Sequence, residues 1–127
     1  MVHPLIDFER TNTILYCRHW AETARFYKTK LCLPVSFEND WFIEFWLTDR
    51  AFLSIANAAC ASIHDVQGQG VTLTWKVPNL GRAKQLLDDR GITTTAIRQK
   101  WNAWVFYFTD PEGHRIELWA DDSGTEG

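Results

Sequence analysis

The chain repeats its own pattern. A short β-branched and aromatic run, an amphipathic helix and three more strand-like runs occur once in each half, about sixty residues apart. In the first half, Thr13-Ile14-Leu15-Tyr16-Cys17 reads as a strand. HWAETARFYKTKL then places Trp20, Ala24, Tyr27 and Leu31 on one helical stripe, and Pro34 ends it. LPVSFEN, WFIEFWLT and AFLSIAN follow as strands, with turns at Asn39-Asp40 and Asp49-Arg50. In the second half VTLTWKV is a strand, and LGRAKQLLDDR is a helix with Asn79 as its N-cap and Gly91 as its stop. TTTAIRQ, WNAWVFYFT and HRIELWA are strands again, with DPEG as a turn between the last two.

One such unit exposes a sheet face that it cannot bury alone. The expected fold is therefore α+β, with two β-α-β-β-β modules forming a curved, half-open mixed sheet and the helices outside. The chain reads as a single domain over 1–127, with module one at about 11–57, a small and polar linker at about 58–70, and module two at about 71–120. The acidic tail DDSGTEG is expected to fray.

Composition narrows the partners. The chain is 46% hydrophobic and 23% charged, with a formal net charge of -3 and no basic run, so nucleic acid and membrane surfaces are not expected partners. Cys17, Cys32 and Cys60 are an odd number with no CxxC, which fits a reduced, cytoplasmic setting. MVHPLIDFER lacks an apolar core, so no signal peptide is expected, and no apolar stretch is long enough to span a bilayer. Seven tryptophans in 127 residues exceed what a core this small needs, and suit a cavity that holds flat apolar molecules.

Two passages, ILYCRHWAETARFYKTKLCL and FYFTDPEGHRIELW, resemble the glyoxalase / bleomycin-resistance / dioxygenase (vicinal oxygen chelate) superfamily. ILYCRHWAETARFYKTKLCL resembles its opening strand and helix, with Phe26-Tyr27 near the helix end. FYFTDPEGHRIELW resembles its closing hairpin, with Asp110-Pro111-Glu112-Gly113 as the turn and Glu117 on the last strand. Cys32 departs from the pattern, because it stands where the family usually has the glycine that ends the helix.

The resemblance implies a metal site of two histidines and a glutamate, used as a Lewis acid on vicinal oxygens. Carried over by position, those three places fall on Asn12, Thr72 and Glu117. Only Glu117 is a strong ligand, so no metal and no cofactor is expected, nor any metal-dependent lyase, dioxygenase or fosfomycin-opening chemistry. His3, His19, His64 and His114 show no ligand spacing, and each is expected to have a plain surface role.

Strand alternation fills in the cavity. If Asn12 and Thr72 face it, so do Ile14 and Tyr16, and Thr74 and Lys76, while Leu15, Cys17, Leu73, Trp75 and Val77 pack behind. Arg115, Glu117 and Trp119 share a face. By resemblance to the fosfomycin-resistance members, Tyr107 lines the site, with Val105 and Trp101 at the same parity, and Phe42, Glu44 and Trp46 point inward. The expected ligand-binding set is Asn12, Tyr16, Phe42, Trp46, Thr72, Lys76, Trp101, Tyr107 and Glu117. Trp75, Trp104, Phe106 and Phe108 are read as core, and Lys76 is expected to pair with Glu117.

The resemblance thus points to a protein that sequesters a small, partly aromatic or apolar molecule, such as an antibiotic or secondary metabolite, without metal. The alternative is a glyoxalase-like lyase or isomerase in which Glu117 is the general base, with Lys76 or Tyr107 stabilising an oxyanion. A third reading, an accessory ligand-binding module, has no feature in its favour. A dry, unpaired Glu117 suits a base, and a salt-bridged one a scaffold. The resemblance also implies a twofold homodimer, with modules pairing within or across chains.

Overall fold

The computed structural model describes residues 4–122. His3 and most of the acidic tail lie outside the described residues. The chain divides at Asp65/Val66 into two compact units.

The first unit holds β1 (Thr11–Cys17), α1 (Trp20–Arg25), β2 (Val35–Glu38), β3 (Phe42–Trp46) and β4 (Ala51–Asn57), followed by a short 3₁₀ turn at Ala58–Cys60. Its strands form a mixed four-stranded sheet in the order β1-β4-β3-β2, with β1 parallel to β4 and the other pairs antiparallel. The second unit repeats this with β5 (Thr72–Lys76), α2 (Leu80–Asp89), β6 (Arg98–Lys100), β7 (Ala103–Thr109) and β8 (Arg115–Ala120), in the order β5-β8-β7-β6. The two-module α+β order read from sequence is therefore present, as two four-stranded mixed sheets.

In the first unit one sheet face packs under the helix. Leu15, Cys17, Ile43, Phe45, Leu53 and Ile55 are buried there with Ala24, Phe26 and Tyr27. The Trp20 indole N–H donates to the Ile55 carbonyl at 2.9 Å, tying the start of α1 to β4. The helix does not run regularly to its end, because Phe26–Lys30 form a π turn. Phe26 and Tyr27, at the start of that turn, are both buried, so the buried face is wider than the single stripe of Trp20, Ala24, Tyr27 and Leu31. Cys32 follows at φ +56, and the Leu33 N–H reaches back to the Tyr27 carbonyl at 3.0 Å. The left-handed exit is kept, with cysteine in place of glycine.

In the second unit Leu80, Leu87, Ile92, Phe106, Phe108, Ile116 and Leu118 are buried. Trp75 and Trp104, read as core, are half-buried. Asn79 caps α2, its side chain accepting from the Arg82 N–H at 2.9 Å, and Gly91 leaves the helix at φ +77. Two expectations are corrected here. TTTAIRQ is not a full strand, since only Arg98–Lys100 pairs with β7. Before it the Thr95 N–H donates to the Tyr107 carbonyl, and the Tyr107 N–H turns to the Thr95 hydroxyl, so a side chain replaces the ladder bond. His114 has no surface role. It is 3% exposed, with its Nδ1 2.8 Å from Asp110 Oδ2. Asp110 Oδ1 also accepts from the backbone N–H groups of Glu112, Gly113 and His114, so the DPEG turn is closed by its own aspartate.

Candidate functional site

The face of the first sheet opposite the helix is set by register. Asn12 lies beside Phe52 and Phe52 beside Trp46; Ile14, Ser54 and Glu44 form the next rung; Tyr16, Ala56 and Phe42 form the third. Period-2 alternation puts all nine on one side. The third rung opens a cavity of about 250 Å³ lined by Ile14, Tyr16, Trp41, Phe42, Ala56, Ala61 and Ser62. Trp41 and Phe42 meet edge to face, with ring centroids 5.5 Å apart.

The middle of this face is a closed polar network. Glu44 is buried, and its carboxylate accepts from Ser36 Oγ at 2.6 Å, from Arg10 Nη2 at 3.1 Å and from Asn12 Nδ2 at 3.4 Å. The Asn12 carbonyl oxygen accepts from Ser54 Oγ at 2.9 Å. At the far end the Arg10 guanidinium lies 4.0 Å over the Phe52 ring, which stands 4.4 Å from the Trp46 ring. Of the expected set, Tyr16 and Phe42 thus share a cavity, Asn12 sits in the polar network, and Trp46 lies two rungs from the cavity.

The matching face of the second sheet carries Thr72, Thr74 and Lys76 on β5, Arg115, Glu117 and Trp119 on β8, and Tyr107 on β7 opposite Glu117. Thr74 Oγ1 donates to Glu117 Oε1 at 2.5 Å. Arg115 Nε donates to Thr72 Oγ1 at 3.0 Å, and its guanidinium carbon stands 4.8 Å from the centre of the Tyr107 ring. Lys100 Nζ donates to the Tyr107 hydroxyl at 3.3 Å.

Two site expectations are corrected. Lys76 does not pair with Glu117. It meets Asp121 at 3.0 Å and lies 5.0 Å from the Trp119 ring centre, because its long stem reaches past the strand end to the first acid of the tail. Trp101 is not on a strand. It occupies the β6–β7 hairpin turn at φ +58 and is 89% exposed, so it leaves the parity of Tyr107. Sequence reasoning also missed Arg10 and Trp41 as site residues. Arg10 precedes the first periodic segment, and Trp41 sits in a turn where alternation carries no signal.

The residues at the three family ligand positions do not fit a divalent metal ion. Asn12 is a neutral amide with both its polar atoms engaged, the Thr72 hydroxyl holds Arg115, and Glu117 is a single carboxylate. Among the described residues no group of three or more His, Cys, Asp or Glu side chains is placed to hold such an ion.

Two β-α-β-β-β modules, each presenting one mixed-sheet face opposite its helix, define a paired-module α+β protein. The chain belongs to the Glyoxalase/Bleomycin resistance protein/Dioxygenase superfamily, whose family model matches residues 10–118. No curated protein matches it in sequence. Among solved structures it is similar to TnmS3, an antibiotic binding protein from Streptomyces sp. CB03234, at 13% identity over 94% of this chain and 100% of that one, with a TM-score of 0.76. It is similar to a lactoylglutathione lyase from Agrobacterium tumefaciens at 15% identity over 92% and 94%, with a TM-score of 0.72. It is also similar to a glyoxalase / bleomycin resistance protein / dioxygenase from Nocardioides at 22% identity over 99% and 89%, with a TM-score of 0.74. These likenesses are to the fold.

Proposed function

We propose that this protein binds a small, partly aromatic or apolar molecule and sequesters it without chemistry. The observation that carries the reading is the cavity walled by Tyr16, Trp41 and Phe42. Its volume of about 250 Å³ suits a one- or two-ring group, a little below the range for a whole drug-sized ligand. Each ring contact there is worth on the order of 1 kcal/mol beyond buried area. The antibiotic-binding neighbour supports this use of the fold, and the donor set at Asn12, Thr72 and Glu117 favours it over a metal-assisted reaction.

A second reading rests on Glu117. The residue is half-buried, and its carboxylate is held by one hydroxyl and lies across from Tyr107, which suits a general base beside an acid in a lyase or isomerase. The lyase neighbour shares the fold that would carry it. We also propose that the protein works as a twofold homodimer in the cytoplasm.

The test is tryptophan fluorescence on metal-stripped protein, titrated with flat aromatic antibiotics and then with Zn, Ni, Mn and Fe(II). Saturable quenching by a drug, lost in Trp41→Ala, supports sequestration. A tight response to one metal per chain, with no response to any drug, overturns it.

A further inference from the structure

The second sheet gathers positive charge on one face of an otherwise acidic protein. Arg98 and Lys100 on β6 share the side of Tyr107, because Arg98 registers with Val105 and Lys100 with Ala103. Arg115 on β8 shares it too, through its register with Thr109 and Thr72. None of the three has a carboxylate within ion-pair distance among the described residues. The acid on this face, Glu117, is engaged by Thr74, and the fourth cation, Lys76, is neutralised by Asp121. Three unmatched cations on one face repel one another, and a chain with a net charge of -3 has carboxylates to spare for pairing them.

Arg115 is also built for recognition. Its Nε is fixed by Thr72 and its plane is placed by the Tyr107 ring, yet both Nη groups are left without a hydrogen-bond partner among the described residues. A guanidinium anchored through Nε presents its outer N–H fork in a set direction, which is the geometry for two parallel bonds to one oxyanion. The Tyr107 hydroxyl, touched by Lys100, adds a further polar group on the same face. A cavity of about 430 Å³ opens beside it, lined by Thr93, Thr95, Tyr107, Thr109 and Arg115 among others.

We propose that this face is an oxyanion-binding site, in which the Arg115 fork takes a carboxylate or phosphate group of a small molecule and Lys100 and Arg98 supply the supporting field. The site lies on the second sheet and goes beyond the aromatic cavity of the first.

The experiment follows the arginine Nε–Hε signals by NMR while intact protein is titrated with benzoate, inorganic phosphate and benzyl alcohol in separate series. Saturable movement of the Arg115 signal with benzoate alone assigns a carboxylate ligand, and with phosphate alone a phosphate ligand; either supports the site. Arg115→Gln is expected to weaken calorimetric binding of that anion about tenfold or more, and Arg115→Lys, which keeps charge and loses the fork, nearly as much. Lys100→Gln, on the exposed hairpin, gives a smaller loss without threatening the fold, and Lys28→Gln gives none. Failure of both anions at tens of millimolar, or binding indifferent to Arg115→Gln and Lys100→Gln, overturns the proposal. Benzyl alcohol, the neutral ring, separates the two readings. If it fails to bind while benzoate still moves Arg115, the aromatic-cavity reading falls and the oxyanion site stands.

Discussion

Gly68 and Gly113 pack backbone against backbone, so closely that a Cβ added at Gly68 would stand 2.3 Å from the Gly113 carbonyl carbon. The contact pins the segment ahead of β5 onto the DPEG turn that aims β8 and Glu117. Gly68 also has φ +78. Gly68→Ala is therefore expected to cost roughly 3 kcal/mol, since backbone must move. Gly70 has φ +81 but open space around it, so Gly70→Ala is expected to cost only about 1 kcal/mol. Urea unfolding of the two variants checks the difference; equal losses would mean that the close approach does not matter.

Cys32 sits at φ +56 with its thiol on the Thr29 carbonyl at 3.4 Å. A left-handed non-glycine residue is strained, and a thiol hydrogen bond on the surface returns little. Cys32→Gly is expected to raise stability by about 0.5–1 kcal/mol, where Cys32→Ala gives no gain. Thermal melts of both variants distinguish relief of backbone strain from loss of the thiol.

Cys32 also shows which parts of this molecule are legible in its sequence. The repeat, the N-cap at Asn79, the stop at Gly91 and the split of β1 into Asn12-Ile14-Tyr16 against Leu15-Cys17 follow from short-range chemistry and alternation. What was not legible depends on side chains meeting across strands. The Thr95 hydroxyl displacing a ladder bond, the Asp110–His114 pair under its turn, and Arg10 reaching Glu44 across 34 positions leave no periodic trace. Trp101 was misplaced because a hairpin turn at φ +58 interrupts an alternation that looks continuous in one dimension.

The network around Glu44 gives a stability test on the candidate face. The Arg10 side chain is 51% exposed and that of Glu44 12%, so the ion pair is partly screened. Arg10→Ala is expected to cost about 1 kcal/mol. Glu44→Ala should cost about 2–3 kcal/mol, because it also strips acceptors from Ser36 and Asn12. In a double-mutant cycle the two changes are expected to couple by about 1 kcal/mol. Additive losses would show that Arg10 is held by the Phe52 ring rather than by the carboxylate.

The proposed homodimer is tested through an edge. β2 is the outer strand of the first sheet, and it exposes Val35 at 36% and Phe37 at 53%. Apolar side chains on an unpaired edge call for a cover. Light scattering at micromolar concentration is expected to give twice the chain mass, and Phe37→Glu to shift the equilibrium toward monomer. A monomeric mass for the unaltered protein overturns the proposal.

Asp88 supplies the pH dependence. Its carboxyl is held below the ordinary 3.8, first by the Thr94 hydroxyl and then by Lys84, which reaches it from one turn earlier on α2. A carboxyl with a lower pKa folded than unfolded favours the folded state while ionised in both. That contribution is present above 3.8 and fades as the pH falls through the lower, folded value. The side chain is exposed, so the effect is small and shrinks with added salt. Unfolding free energies of the parent and Asp88→Asn are expected to differ by a constant amount well above 3.8, and to converge as the pH falls through the lower, folded value. Thr94→Val should reproduce most of the change at neutral pH. A difference that persists unchanged into acid would assign the stabilisation to the neutral hydrogen bond rather than to the charge.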